Sequence, residues 1–292
     1  MTLTVTIALL AAGCFAVASV LQHRGALRAR RRTPLHPGLL AELARKRGWL
    51  IGVAAQATGV TLHLVAVNLG PLSVVQPVLT IGLVLALLLQ RVLGRRVGAQ
   101  AWLSAGLVVL GLSVFLAATP EHPSGDPGAT TDWTPGLLMA GLLVAVTLTS
   151  GLLTAGTVRC VSLGGCAGVM MATSAALGKA WGAVLAAQGI TGLVTGWQLW
   201  AGLACGAAGT LLSQTAFQAG PLGGSLAAMM AIDPVVGVGL GVVVFGEPFA
   251  AAGTLVARLV GLGLTLLGVG LLASAQRERR AAVPELASVR SA

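Results

Sequence analysis

The chain has 292 residues, 56% hydrophobic and 9% charged, whereas a soluble domain carries about 25% charged residues, so a soluble fold of this size lacks the polar groups to cover its surface. Lipid can solvate the apolar side chains instead, and 41 glycines suit close helix packing in a membrane. The formal charge of +10 does not point to nucleic acid, because the basic residues sit in short segments between apolar runs, the placement of a topology signal.

A membrane-crossing helix needs about 20 mostly apolar residues. That length selects nine spans, at residues 3–22, 48–68, 71–90, 98–118, 135–156, 162–188, 197–217, 222–245 and 251–274. The fold class is therefore an all-α polytopic membrane protein. An open sheet would strand backbone polar groups in lipid, and the runs are too long and uniformly apolar for barrel strands. The first run lacks a basic leader and a small-residue cleavage site, and Arg24 and Arg28 follow it, so it reads as a retained helix. Residues 23–47 form a basic loop with room for a short surface helix. Residues 119–134, rich in Pro, Gly and Asp, read as a linker between an N-terminal half, 1–118, and a C-terminal half, 135–275. Residues 276–292 are expected to be a disordered tail. Cys14, Cys160, Cys166 and Cys205 show no CxxC spacing and read as packing residues.

The arginines orient the chain. Arg24, Arg28, Arg30, Arg31, Arg32, Arg45, Lys46 and Arg47 follow span 1. Arg91, Arg95 and Arg96 follow span 3, Arg159 follows span 5, and Arg277, Arg279, Arg280 and Arg290 lie in the tail. All fall on one side if span 1 starts outside. The opposite connections carry Glu121, Asp126, Asp132 and Glu247. The positive-inside rule then places the protein in the cytoplasmic membrane with the N-terminus outside and the C-terminus inside.

The halves share a pattern. Asn68-Leu69-Gly70-Pro71-Leu72 opens span 3 and Gln218-Ala219-Gly220-Pro221-Leu222 opens span 8. Each span ends in a Gly-containing break, Gly94-Arg95-Arg96 or Gly246-Glu247-Pro248, before a Gly- and Leu-rich helix. Repeats five helices apart enter the membrane from opposite sides, which makes two inverted-topology halves, the plan many secondary transporters use for alternating access. The two GPL openings, Asp233-Pro234 within span 8, and Phe245-Gly246-Glu247-Pro248 resemble the drug/metabolite transporter superfamily of the EamA type. The resemblance implies a secondary transporter of small metabolites or drugs. Members of that family typically have ten helices. The nine-span plan, with its basic segment where a second helix would be expected, resembles the NIPA-like magnesium transporter branch, which implies a divalent cation instead.

Ionisable residues inside a bilayer are costly and rank as functional by default. Asp233 is the carboxylate deepest in any span and a candidate proton, cation or substrate site. Pro234 follows it and frees a carbonyl by breaking the helical ladder. Lys179, in a span running parallel to that of Asp233, is expected at similar depth and as its ion-pair partner. His63 can relay a proton near neutral pH, although a lone histidine on an apolar face is more often a packing residue. Arg258 is expected to pair with Glu247 or reach the interface. Gln56, Thr61, Asn68, Gln76, Ser174, Gln214 and Gln218 mark a semi-polar path, with Gln76-Pro77 as a kink and Gln214 and Gln218 on one helix face. Interhelical hydrogen bonding is the plainer reading for each of them.

No GxxxxGK[ST] motif is present, so hydrolysis of ATP by this chain is not expected. HExxH and GxSxG are also absent, and Glu121-His122 lies in the linker, so no enzyme is expected. No cofactor is implied. The expected partners are a small-molecule or ion substrate and the lipid bilayer. Spacings such as Gly178-xxx-Gly182, Gly202-xxx-Gly206 and Gly237-xxx-Gly241 allow close helix approach within the chain or in a homodimer.

Overall fold

The computed structural model of the chain describes residues 2–30, 35–69, 72–95, 97–118, 132–247, 249 and 253–289, with the side chains of 64, 67, 68, 72–74, 76 and 273–289 excepted. All regular structure among them is helical. In chain order the helices are α1 (Thr2–Leu27), α2 (Gly38–Leu43), α3 (Arg47–Leu69), α4 (Leu72–Thr80), α5 (Gly82–Val92), α6 (Ala99–Ala117), α7 (Thr134–Leu153), α8 (Gly156–Thr195), α9 (Trp197–Ala219), α10 (Leu222–Phe245) and α11 (Leu255–Val289). Six are long and apolar enough to cross a membrane: α1, α6, α7, α8, α10 and the stretch Leu255–Leu272 of α11. The chain is a multi-pass helical membrane protein.

The side-chain distribution fits lipid as the outer solvent. On α7, Leu138, Leu142 and Val146 recur every fourth residue and are exposed, while Gly136, Ala140 and Gly151 are buried. The large apolar side chains face out and the small ones face in. Lipid tails are as apolar as leucine, so burying leucine between helices gains little there, and close van der Waals packing does the work.

The tightest seam lies between α6 and α11. A Cβ built on Gly111 would sit 2.5 Å from the Thr265 backbone nitrogen, and one on Gly261 would sit 2.5 Å from the Phe115 nitrogen. Only glycine permits these approaches. Elsewhere α1 packs along α3 and against α4 and α5, α8 packs along α9 and α10, and α7 lies on α8. Helix α10 also meets α1, α5 and α6 of the first half, and α7, α9 and α11 of the second.

Three elements differ from the sequence expectation. The third span is divided into α4 and α5, with Pro77 inside α4. Proline lacks the N–H that continues the ladder, and one turn later the chain tightens, with Ile81 N–H donating to Val78 O at 3.2 Å and Thr80 Oγ1 to Pro77 O at 2.7 Å. The eighth span, by contrast, passes Pro234 as one helix. Helix α8 starts earlier than expected and runs 40 residues through a non-helical Gly189 at φ 67°. Its length before that glycine is about 50 Å, well beyond a hydrocarbon core of about 30 Å. Helix α11 continues beyond the expected span end at 274 to Val289 and passes Pro284, which lacks an N–H for the ladder. The linker is described only from Asp132, whose Oδ1 accepts the Thr134 N–H at 2.9 Å and opens α7. That hydrogen bond holds the exposed Asp132 carboxyl below its ordinary range.

The seam makes a paired prediction. Gly261→Val is expected to lower the melting temperature in detergent, at an overpacking cost of about 1–3 kcal/mol. Gly263→Ala, whose Cβ meets no atom within 4 Å, should leave it unchanged. Equal melting temperatures for both variants would dissolve the seam.

Candidate functional site

Asp233 sits halfway along α10, a helix with contacts in both halves. Its backbone nitrogen lies against Gly168 of α8, where a Cβ would come within 3.2 Å. The side chain is densely surrounded by protein yet keeps accessible surface. Among the described residues it has no hydrogen-bond or ion-pair partner. Next to it, Pro234 lacks an N–H, so the Met230 carbonyl one turn earlier has no helical donor. An acidic side chain and a released carbonyl therefore lie one turn apart on the same element, without a break in the helix. The two oxygen types are suited to hold a proton, a cation or an amine.

Lys179 is not the partner of Asp233. Helices α8 and α10 do run parallel, as Gly164 against Ser225 and Gly168 against Asp233 show, but Lys179 lies eleven residues beyond Gly168, about 16 Å along α8. Its Nζ forms an ion pair with Glu247 Oε1 and lies 4.4 Å from the Phe245 ring centroid. Glu247 is positioned by the end of α10. Gly246 takes a left-handed φ of 66°, and both its N–H and the Glu247 N–H, the latter at 3.1 Å, donate to Gly241 O and close the end of the helix. The carboxylate folds back over Gly241, where any Cβ would collide with it. Phe245 meets the Trp133 ring edge-on at 5.6 Å, and Trp133 meets Trp197 at 5.8 Å. Lys179 thus joins α8 to the cap of α10 beside an aromatic cluster. Arg258, expected beside Glu247, is buried with its guanidinium between the rings of Phe115 at 4.9 Å and Phe249 at 4.6 Å.

At the opposite end, where α1 finishes and α3 begins, polar groups tie the halves together. Trp49 Nε1 donates to Gln214 Oε1 at 3.1 Å, Gln214 Nε2 donates to Gln22 Oε1 at 2.9 Å, and Gln22 Nε2 reaches Gly52 O at 3.5 Å. Gln214 has no exposed surface. Gln218 Nε2 donates to Ala26 O at 3.0 Å, one of the last carbonyls of α1. His23 is buried, with Nε2 3.2 Å from Gly220 O and its ring edge-on to Phe217. Its Nε2 must carry the proton, since a carbonyl only accepts. Apart from Gln22–Gly52, these bonds join positions 165 to 197 residues apart and use the glutamines for interhelical contact.

His63 lies on α3, which packs on α1 and α4. Its Nδ1 is buried without a hydrogen-bond partner among the described residues. The structure does not bring it to α10. Gln56 and Thr61 are exposed on α3, with Thr61 bonded to Ala57 O, and Ser174 joins α8 to Gly202 O of α9 at 2.8 Å. The side chains of Asn68 and Gln76 lie outside the described residues. Trp49, Gln22 and His23 were not singled out in the sequence as cross-half contacts. Their one visible signal was polarity at the ends of apolar runs, which also describes ordinary interface residues.

Fold and site together define a multi-pass helical membrane protein with a carboxylate inside its bundle. No family model matches the chain, and no solved structure matches it. It is 32% identical over 254 residues to an uncharacterized protein of Corynebacterium glutamicum, covering 85% of this chain and 86% of that protein. The chain belongs to the same family as that protein.

The Lys179–Glu247 pair can be tested by charge exchange. Lys179→Glu and Glu247→Lys should each destabilise the detergent-solubilised protein by up to about 1 kcal/mol, the range for partly exposed pairs. The double exchange should recover most of that loss in thermal melts. A double variant as unstable as the two losses combined would argue against the contact.

Proposed function

We propose that this protein is a secondary transporter of the drug/metabolite type, moving small organic solutes across the cytoplasmic membrane by alternating access. Asp233 carries the reading. It is a carboxylate at mid-helix, partly accessible, and without a partner among the described residues, and an ionisable group placed so inside a bilayer serves a transport path by default. A proton on this carboxylate, exchanged for solute, would couple transport to a gradient.

The packing supports two inverted halves built on nine spans, with α4 and α5 counted as one broken span. In this reading α1, α3, α4–α5 and α6 correspond to α8, α9, α10 and α11. Helix α1 has α3 and α4–α5 as its main partners, and α8 has α9 and α10. Helices α6 and α11, each other's counterparts, form the glycine seam. Gly94 after α5 and Gly246 after α10 are both left-handed, at φ 83° and 66°. Along that seam α6 and α11 run antiparallel, with Phe115 against Gly261 and Ser104 against Gly268, which is consistent with inversion. Helix α7 is then the one without a counterpart in the first half, so the comparison of halves starts at α1 against α8 and not at the basic loop. The glutamine network at the basic end and the Lys179–Glu247 pair at the other supply one closure on each side of Asp233.

A magnesium transporter has less support. Among the described residues no three His, Cys, Asp or Glu side chains gather in one place, and magnesium prefers several oxygen ligands in near-octahedral array while keeping much of its water. A lone carboxylate suits a proton or an organic cation better.

Reconstitution in proteoliposomes under an imposed pH gradient tests the proposal, with a panel of organic cations, neutral metabolites and magnesium offered in turn. Gradient-driven flux of an organic solute is expected, with Asp233→Asn reducing it at least about tenfold, the equivalent of 1.4 kcal/mol. Asp233→Asn flux equal to wild type for every solute moved would remove the assigned site, and flux of magnesium alone would replace the substrate class.

A further inference from the structure

The segment between α1 and α3 is anchored to the bundle. Leu39 and Leu43 of α2 are buried in one apolar cluster with Ala29 and Trp49, against which Leu211 of α9 packs. This anchoring holds the polar side of the segment in place as the wall of an open cavity of about 410 Å³, lined by Arg30, Gly38, Ala41, Glu42 and Arg45. Arg30 is fixed on both sides of its backbone. Its N–H donates to Glu42 Oε1 at 3.0 Å, and its carbonyl accepts from Gln218 Nε2 at 3.4 Å. Lys46 lies 3.3 Å from Glu42 and opposes its charge. Arg30 and Arg45 are both exposed, so their guanidinium groups set the sign of the cavity. Gly38 and Ala41 leave it open by lacking bulk. Close to these arginines along the chain, Leu27 at the end of α1 and Leu50 and Ile51 at the start of α3 are exposed apolar side chains.

We propose that this cavity binds the phosphate of an anionic phospholipid headgroup, held by Arg30 and Arg45, with the lipid chains on the apolar flank of Leu27, Leu50 and Ile51. Guanidinium forks match phosphate oxygens in bidentate geometry. The adjoining apolar flank favours a lipid over a soluble phosphate, because only a lipid has a chain to lay there. The cavity lies in the basic connection between the end of α1 and the start of α3, and basic segments that flank apolar spans draw anionic lipids. The site is separate from Asp233 and stands whatever solute the protein moves.

The full-length protein in phosphatidylcholine nanodiscs, titrated with phosphatidylglycerol, tests this by thermal unfolding and by native mass spectrometry of retained lipid. Phosphatidylglycerol should raise the melting temperature and remain bound. Arg30→Gln with Arg45→Gln should weaken the apparent affinity about 25-fold, roughly fivefold per arginine. Glu42→Gln, which keeps the acceptor for Arg30 and removes a negative charge, should bind at least as tightly as wild type, and this variant decides the matter if the double one does not fold. Arg91→Gln with Arg95→Gln, on another basic connection, should bind normally. Unchanged affinity in the Arg30/Arg45 variant, weaker binding by Glu42→Gln, or an equal loss in the Arg91/Arg95 pair would overturn the site. A full thermal shift from inorganic phosphate alone would overturn the lipid assignment.

Discussion

The structure depends on how closely helix backbones approach where there is no hydrophobic gain from meeting. Between α6 and α11, Gly111 and Gly261 bring each helix against the other's backbone, closer than any side chain permits. In lipid such contacts hold the bundle through dispersion and close packing. The same constraint sorts the rest of the chain, with Leu138, Leu142 and Val146 turned outward and Gly136 and Ala140 inward on α7. Because packing uses small residues, the few polar and charged side chains inside the bundle have specific positions and few alternatives.

Those positions divide by height. One end of the bundle carries Trp49, Gln22, His23, Gln214 and Gln218 in bonds between distant parts of the chain. The other carries Lys179 and Glu247 beside Phe245, Trp133 and Trp197. Asp233 lies between, on a helix with contacts in both halves. Each end contact has a modest energy, since interhelical hydrogen bonds in membranes average about 0.6 kcal/mol and a partly exposed ion pair is worth at most about 1 kcal/mol. Weak ties at both ends suit the alternating access proposed above, which opens one end at a time. A stronger lock at either end would raise the cost of leaving that state.

Much of the fold was legible from composition. Runs of about 20 apolar residues located helices to within a few residues for α3, α6, α7 and α10, and the glycines of the two breaks, Gly94 and Gly246, are left-handed in the structure. The Lys179–Asp233 pair was misread because two charges within parallel spans were taken to lie at one depth. Helix α8 is longer than its apolar run suggested, and Gly168 rather than Lys179 faces Asp233. Pro77 and Pro234 look alike in sequence, yet the helix is interrupted near one and continuous past the other.

The sequence by itself determined that the chain lives in lipid, which segments are helical, where the basic connections fall, and that Asp233 is buried in a span. These are local properties, set by the transfer energy of each stretch and the conformational limits of glycine and proline. Only the tertiary structure decided which charge meets which, that Glu247 takes Lys179, that Gln214 and Gln218 bind α1 and its flanks, and that α2 folds back to wall a basic cavity. Those outcomes depend on helix register, and register is set by side-chain interdigitation between segments up to about 190 residues apart, which no single stretch of sequence contains.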